Sequence, residues 1–110
     1  MTTKNKGDWY EDRAVEYLLS NDFKIIQRNY FAKKLGEIDI IATKHGTYHF
    51  IEVKGGENFE AVYNITSSKL FKLLRSVEYY LKEKNLDVSY CIDAIICTKD
   101  SVEYLENITM

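Results

Sequence analysis

Two acid-bearing stretches, Gly36-Glu37-Ile38-Asp39-Ile40-Ile41 and Phe50-Ile51-Glu52-Val53-Lys54, set the terms on which this chain can fold. Both read as strands, rich in β-branched residues, yet each places a carboxylate where a sheet buries its side chains. A buried carboxylate needs a partner. Between the stretches stands Lys44-His45-Gly46, a tight-turn signal in which Gly46 can take positive φ, so an antiparallel hairpin is expected. Alternation puts Glu37, Asp39 and Ile41 on one face of their strand, and Tyr48, Phe50, Glu52 and Lys54 on one face of theirs. Of the two registers open to the hairpin, one gathers Asp39, Glu52 and Lys54 into a single patch.

The flanking segments supply a frame. A helix is predicted over residues 8–20, capped by Asp8 with Glu11 completing a capping box. Its apolar stripe is Ala14, Val15, Leu18 and Leu19. On ideal helix geometry Glu11 falls about 40° from Val15 and about 20° from Leu18, so it aims into the stripe, whereas Asp12 and Glu16 lie off it. Strands follow over 23–30, 37–43 and 47–54, with Gly55-Gly56-Glu57-Asn58 as a flexible loop at the edge of the site. Thr66-Ser67-Ser68 caps a second helix reaching about Asn85, its buried stripe Leu70, Leu73, Leu74, Val77 and Leu81. Strands over 88–98 and 102–105 close the chain. The order α-β-β-β-α-β-β predicts an α/β fold, a mixed central sheet flanked by helices. With 110 residues the chain is expected to form one domain.

Composition excludes some roles. No apolar run approaches the roughly 18 residues of a membrane span, and no apolar stretch follows the first seven residues as in a signal peptide. Cys91 and Cys97, six apart on one predicted strand, lie about 20 Å from each other, too far for a disulfide. Both are expected to be reduced core residues, which points to the cytoplasm. Net charge is −2, against binding nucleic acid by bulk positive charge. Residues 66–84, however, carry Lys69, Lys72, Arg75, Lys82 and Lys84 against Glu78 and Glu83, a local basic face.

The patch has the chemistry of a hard-cation site. Mg²⁺ takes one or two carboxylates plus waters and substrate phosphate. Asp39 and Glu52 supply the carboxylates, the Val53 carbonyl a third oxygen, and Glu11 a second-metal or outer ligand. Lys54 is placed to orient or deprotonate an attacking water. Blander readings stand beside this one. Glu-x-Lys on an edge strand is commonly a solvated, aggregation-resistant face. Asp39 can pair with Lys33 or Lys34, and Glu11 can be only half of a capping box. His45 and His49 read as a turn residue and a sheet-surface residue. Lys69, Lys72 and Arg75 read as a solvated helix face.

From Gly7 to about Thr98 the chain resembles the YraN family, bacterial proteins assigned to the Holliday-junction-resolvase-like branch of the PD-(D/E)XK nuclease superfamily. The resemblance rests on Gly7 and Glu11, on Ala14, Tyr17 and Leu18, and on Arg28-Asn29. It rests most on Gly36-Glu37-Ile38-Asp39-Ile40-Ile41-Ala42 and Phe50-Ile51-Glu52-Val53-Lys54, and it extends to Thr66 and Lys69. The late Arg-Phe-Asp-Val strand of that family is matched only at Asp93, with Cys91 and Ile92 in place of the arginine and phenylalanine. Lys54 is followed by Gly55-Gly56, where the family commonly has another basic residue. The resemblance implies a restriction-endonuclease-like fold with its core over about 7–98. It also implies a Mg²⁺- or Mn²⁺-dependent endonuclease acting on DNA, branched or single-stranded. Asp39, Glu52, Lys54 and Glu11 carry over as catalytic and metal-binding residues. Arg28, Lys33, Lys34, Lys69 and Lys72 are the candidate DNA contacts. A homodimer is expected if junction-resolving activity is kept. The alternative is a non-catalytic nucleic-acid- or protein-binding module on the same fold.

Overall fold

The structure, a computed structural model, describes residues 6–57 and 65–109. The predicted order is the observed one: α1 Lys6–Ser20, β1 Lys24–Phe31, β2 Glu37–Lys44, β3 Thr47–Gly55, α2 Ser67–Glu83, β4 Tyr90–Cys97 and β5 Val102–Leu105. The five strands form one sheet in the order β1-β2-β3-β4-β5. β1, β2 and β3 make an antiparallel meander, β3 and β4 run parallel across the connection that contains α2, and β4 and β5 are antiparallel. This is the mixed sheet flanked by helices that the restriction-endonuclease-like expectation requires.

Each sheet face carries its own apolar core. Ile40, Ala42, Ile51, Ile95 and Cys97 pack with Ala14 and Leu18 of α1. Ile41, Phe50 and Ile92 pack with Leu73, Val77 and Tyr80 of α2. The helices form for local reasons as well. Thr66 is extended, at φ −71° and ψ 158°, and its hydroxyl accepts the Lys69 N–H at 3.1 Å, as an N-cap does. Of the expected stripe of α2, Leu73 and Val77 are buried and Leu70, Leu74 and Leu81 are part-buried at its flanks, while Ser76 and Tyr80 join the buried face.

Four expectations are corrected. Asp8 lies inside the first turn of α1, because the helix begins at Lys6, so Asp8 is no cap. Leu19 is exposed: it sits about 100° round the helix from Leu18, beyond the face that α1 turns to the sheet. His49 is buried, because α1 and β5 cover the sheet surface on which it stands. Gly55 is the last residue of β3 rather than loop, and Asn58 lies outside the described residues. A Cβ at Gly55 would stand 1.9 Å from the Tyr10 ring of α1, so the missing side chain is what lets α1 lie against the end of β3.

That contact has a measurable cost. Gly55→Ala is expected to destabilise the protein by about 1–3 kcal/mol in chemical denaturation, as overpacking does. In a Tyr10→Ala background the same change should cost much less. Equal costs in both backgrounds would contradict the close approach.

Candidate active site

The site is built by a two-residue turn. His45 and Gly46 take φ of 51° and 79°, the left-handed pair of a type I′ hairpin. The turn locks Lys44 opposite Thr47, and the register then runs to Ile41 opposite Phe50 and Ile40 opposite Ile51. Of the two registers left open by the sequence, this is the one that brings Asp39 and Glu52 together. Past Ile40 and Ile51 the strands part. In the gap, Asp39 Oδ2 accepts the Val53 N–H at 2.8 Å, taking the place of a ladder partner. The N–H and C=O of one extended residue point the same way, so the Val53 carbonyl faces the same edge.

Asp39 and Glu52 line one cavity of about 320 Å³ beneath α2, with Gly36, Glu37, Lys69 and Lys72 on its wall. Glu52 is nearly buried and lies 3.8 Å from Lys54 Nζ and 3.4 Å from Lys69 Nζ. Gly36 holds φ at +148°, and a Cβ there would press on the Ser76 hydroxyl at 3.1 Å, so glycine lets the strand start against α2.

Glu11 is inward, as the helix geometry predicts, while Glu16 is exposed. It does not share the Asp39–Glu52 cavity. It lines an adjoining space of about 250 Å³ with Asn29, Glu37, Asp39 and Val53, so Asp39 stands on the wall between the two. Both Glu11 oxygens are engaged, Oε1 by Arg28 Nε and Oε2 by the Asn29 amide, each at 3.0 Å. The same amide nitrogen donates to Glu37 Oε1 at 3.0 Å. Asn29 is itself left-handed, at φ 54°, a conformation that asparagine tolerates better than most residues.

The site is rich in acid. Burial first, then the charge of Glu52, raises Asp39 from 3.8 to about 7, against the lowering effect of the Val53 N–H. Burial and the neighbouring Lys69 hold Lys54 below the usual lysine range, opposed by Glu52 and Asp39. The donor set suits a hard divalent cation: two carboxylates meet at a desolvated position, where burial and mutual repulsion raise the proton affinity of Asp39.

The candidate DNA contacts divide. Lys69 and Lys72 stand at the cavity. Lys33 and Lys34 are exposed on the turn between β1 and β2, and neither pairs with Asp39. Arg28 is committed to Glu11 and, at 2.8 Å, to Asp12. Asn29 and Glu37 are site neighbours that the sequence reading did not single out. The signal was there, in the left-handed tolerance of asparagine and in the parity that Glu37 shares with Asp39.

Fold and site together define an α/β protein with an acid-and-lysine pocket at the diverging end of a hairpin, under a basic helix. Within that class, the chain belongs to the uncharacterised protein family UPF0102, whose model matches residues 10–97. It is 52% identical over 109 residues to a UPF0102 protein of Aliarcobacter butzleri, covering 98% of this chain and 99% of that one. It is 46% identical over 108 residues to UPF0102 protein WS0451 of Wolinella succinogenes, covering 98% and 99%. A third relative, UPF0102 protein HPAG1_0809 of Helicobacter pylori, is 49% identical over 104 residues, covering 94% and 90%.

The raised Asp39 sets a pH dependence for the metal-free protein. Its folded form binds a proton more tightly than its unfolded form, so stability falls as pH rises from 3.8 towards about 7. Asp39→Asn, which keeps an oxygen for the Val53 N–H, is expected to stabilise the metal-free protein by about 1–3 kcal/mol at pH 8 and by little at pH 4. Thermal melts at both pH values check this, and equal shifts would contradict it.

Proposed function

We propose that this protein is a Mg²⁺- or Mn²⁺-dependent endonuclease that hydrolyses DNA phosphodiester bonds, with branched or single-stranded DNA as substrate. Its place in the resolvase-like branch of the PD-(D/E)XK superfamily is part of this proposal. The observation that carries it is the meeting of Asp39 and Glu52 at one desolvated cavity, with Lys54 beside Glu52 and Asp39 raised by burial and by the charge of Glu52. Asp39, Glu52 and the Val53 carbonyl would hold the cation. When bound, the cation supplies an acidified water and neutralises charge developing at phosphorus.

The chain's own groups divide the remaining work. The Val53 N–H fixes the Asp39 carboxylate and leaves its other oxygen for the cation. Lys54, half-buried and with lowered proton affinity, orients the attacking water, and a larger fraction of it than of a free lysine is unprotonated and able to act as base. Lys69 and Lys72, on the face of α2 that borders the cavity, contact the phosphate oxygens and keep the backbone in register with the acids. Glu11 acts from the outer rim, where Arg28 and Asn29 already occupy both its oxygens. Lys33 and Lys34 extend the DNA path along the β1–β2 turn. Among the described residues no helix is long and apolar enough to cross a membrane.

A second reading, a binding module without catalysis, draws on the commitment of Arg28 to Glu11 and Asp12, which takes one cation away from DNA. One experiment separates the two. The purified protein is incubated with supercoiled plasmid, single strands and a four-way junction in Mg²⁺ or Mn²⁺. Cleavage is expected, abolished by chelation and by Asp39→Asn or Glu52→Gln. Lys54→Met should lower the rate by on the order of 10²–10³-fold with DNA binding kept. DNA binding without cleavage of any substrate would favour the module.

A further inference from the structure

On the opposite sheet face from the Asp39 cavity, His49 of β3 and Cys91 of β4 are direct cross-strand partners. Asp93 stands two residues on from Cys91, on the same face. The three side chains offer one nitrogen, one sulfur and one oxygen within 4.8 Å of one another. Tetrahedral bonds of 2.0–2.3 Å would set such donors roughly 3.3–3.8 Å apart, so small side-chain rotations suffice. Asp93 is fully buried, and His49 is the one basic side chain, among the described residues, within ion-pairing distance of it. The carboxylate is held by the Tyr104 hydroxyl on Oδ2 and by the Asn107 N–H on Oδ1 at 2.8 Å. The cluster opens on a cavity of about 430 Å³, whose rim carries Lys44, His45 and Glu106.

We propose that His49, Cys91 and Asp93 form a second cation site, for a borderline-soft divalent ion of the zinc type, with the cavity leaving room for a fourth, exchangeable ligand. The donor set decides the class. A thiolate and an imidazole select zinc over magnesium, whereas the Asp39 site offers oxygen alone. On binding, the proton between His49 Nδ1 and Asp93 Oδ2, now 2.6 Å apart, leaves that contact, the neutral imidazole keeps its one proton on Nε2, and the Cys91 thiol proton passes to solvent. The Tyr104 and Asn107 hydrogen bonds then orient the ligating carboxylate, as outer-shell donors do in metal sites. The same bonds tie β5, through Tyr104, and the segment after it, through Asn107, to β4, so the cation would brace both against the sheet. No part of the proposed phosphodiesterase chemistry uses this cluster.

The test titrates Zn²⁺ and Co²⁺ into the full reduced chain in excess Mg²⁺. One equivalent of Zn²⁺ should bind and raise the melting temperature. Co²⁺ should give visible bands of a tetrahedral ion with a thiolate-to-metal charge-transfer band. Cys91→Ser, a near-isosteric change at a half-buried position, should abolish that charge-transfer band and weaken Zn²⁺ by at least roughly tenfold. The Asp39→Asn, Glu52→Gln double variant should bind Zn²⁺ as the parent does. Failure of the parent chain to bind Zn²⁺, binding unaffected by Cys91→Ser, or binding lost in the Asp39→Asn, Glu52→Gln variant would each overturn the assignment.

Discussion

The architecture turns on one hydrogen bond, from the Val53 N–H to the Asp39 carboxylate, at the point where β2 and β3 stop pairing. An acid half-buried in a sheet is costly, and among the described residues this one is stabilised by one backbone donor while Glu52 stands against it. The I′ turn at His45-Gly46 decides that the contact exists at all. A slip of one residue would turn Glu52 and Lys54 to the α1 face, out of reach of Lys69. Hairpin geometry is therefore the first determinant of the site, and acid chemistry the second.

The two helices use the sheet differently. α2 lays a basic edge over the acids, so Glu52 finds the ammonium group of Lys69 from the helix beside that of Lys54 from its own strand, and Lys69 and Lys72 line the cavity. α1 brings Glu11 to the rim and ties it through Asn29 to Glu37, which links the helix to both neighbouring strands. What results is an acid cluster in which burial and the charge of Glu52 make Asp39 hold its proton more tightly than a free carboxylate. Such a site subtracts from stability in the empty protein and returns it when a cation binds, a relation common to sites shaped for charge.

Much of this was legible in the residues. Alternation tied Glu52 to Lys54, helix geometry separated Glu11 from Glu16, and Thr66 marked the start of α2. These are short-range regularities, set by periods of 2 and 3.6. Pairings between distant segments were not legible. Lys69 reaches Glu52 only because α2 crosses the end of β3, and Arg28, a candidate DNA contact, is instead paired with Glu11 and Asp12 on a helix that precedes it. His49 read as a surface residue because nothing local reveals that α1 and β5 cover it, or that Asp93 waits on the adjacent strand. The left-handed backbone at Asn29 within β1 is of the same kind: asparagine permits it, but only the surrounding contacts demand it.

The central claim is that Asp39, Glu52 and the Val53 carbonyl share one divalent cation. The most direct measurement is an anomalous difference map from crystals grown with Mn²⁺, collected at a wavelength where manganese scatters anomalously. The account predicts a peak between the Asp39 and Glu52 carboxylates, within bonding distance of both and absent from Asp39→Asn crystals. A fully loaded crystal with no peak there, or with its manganese bound only elsewhere on the protein, would contradict it.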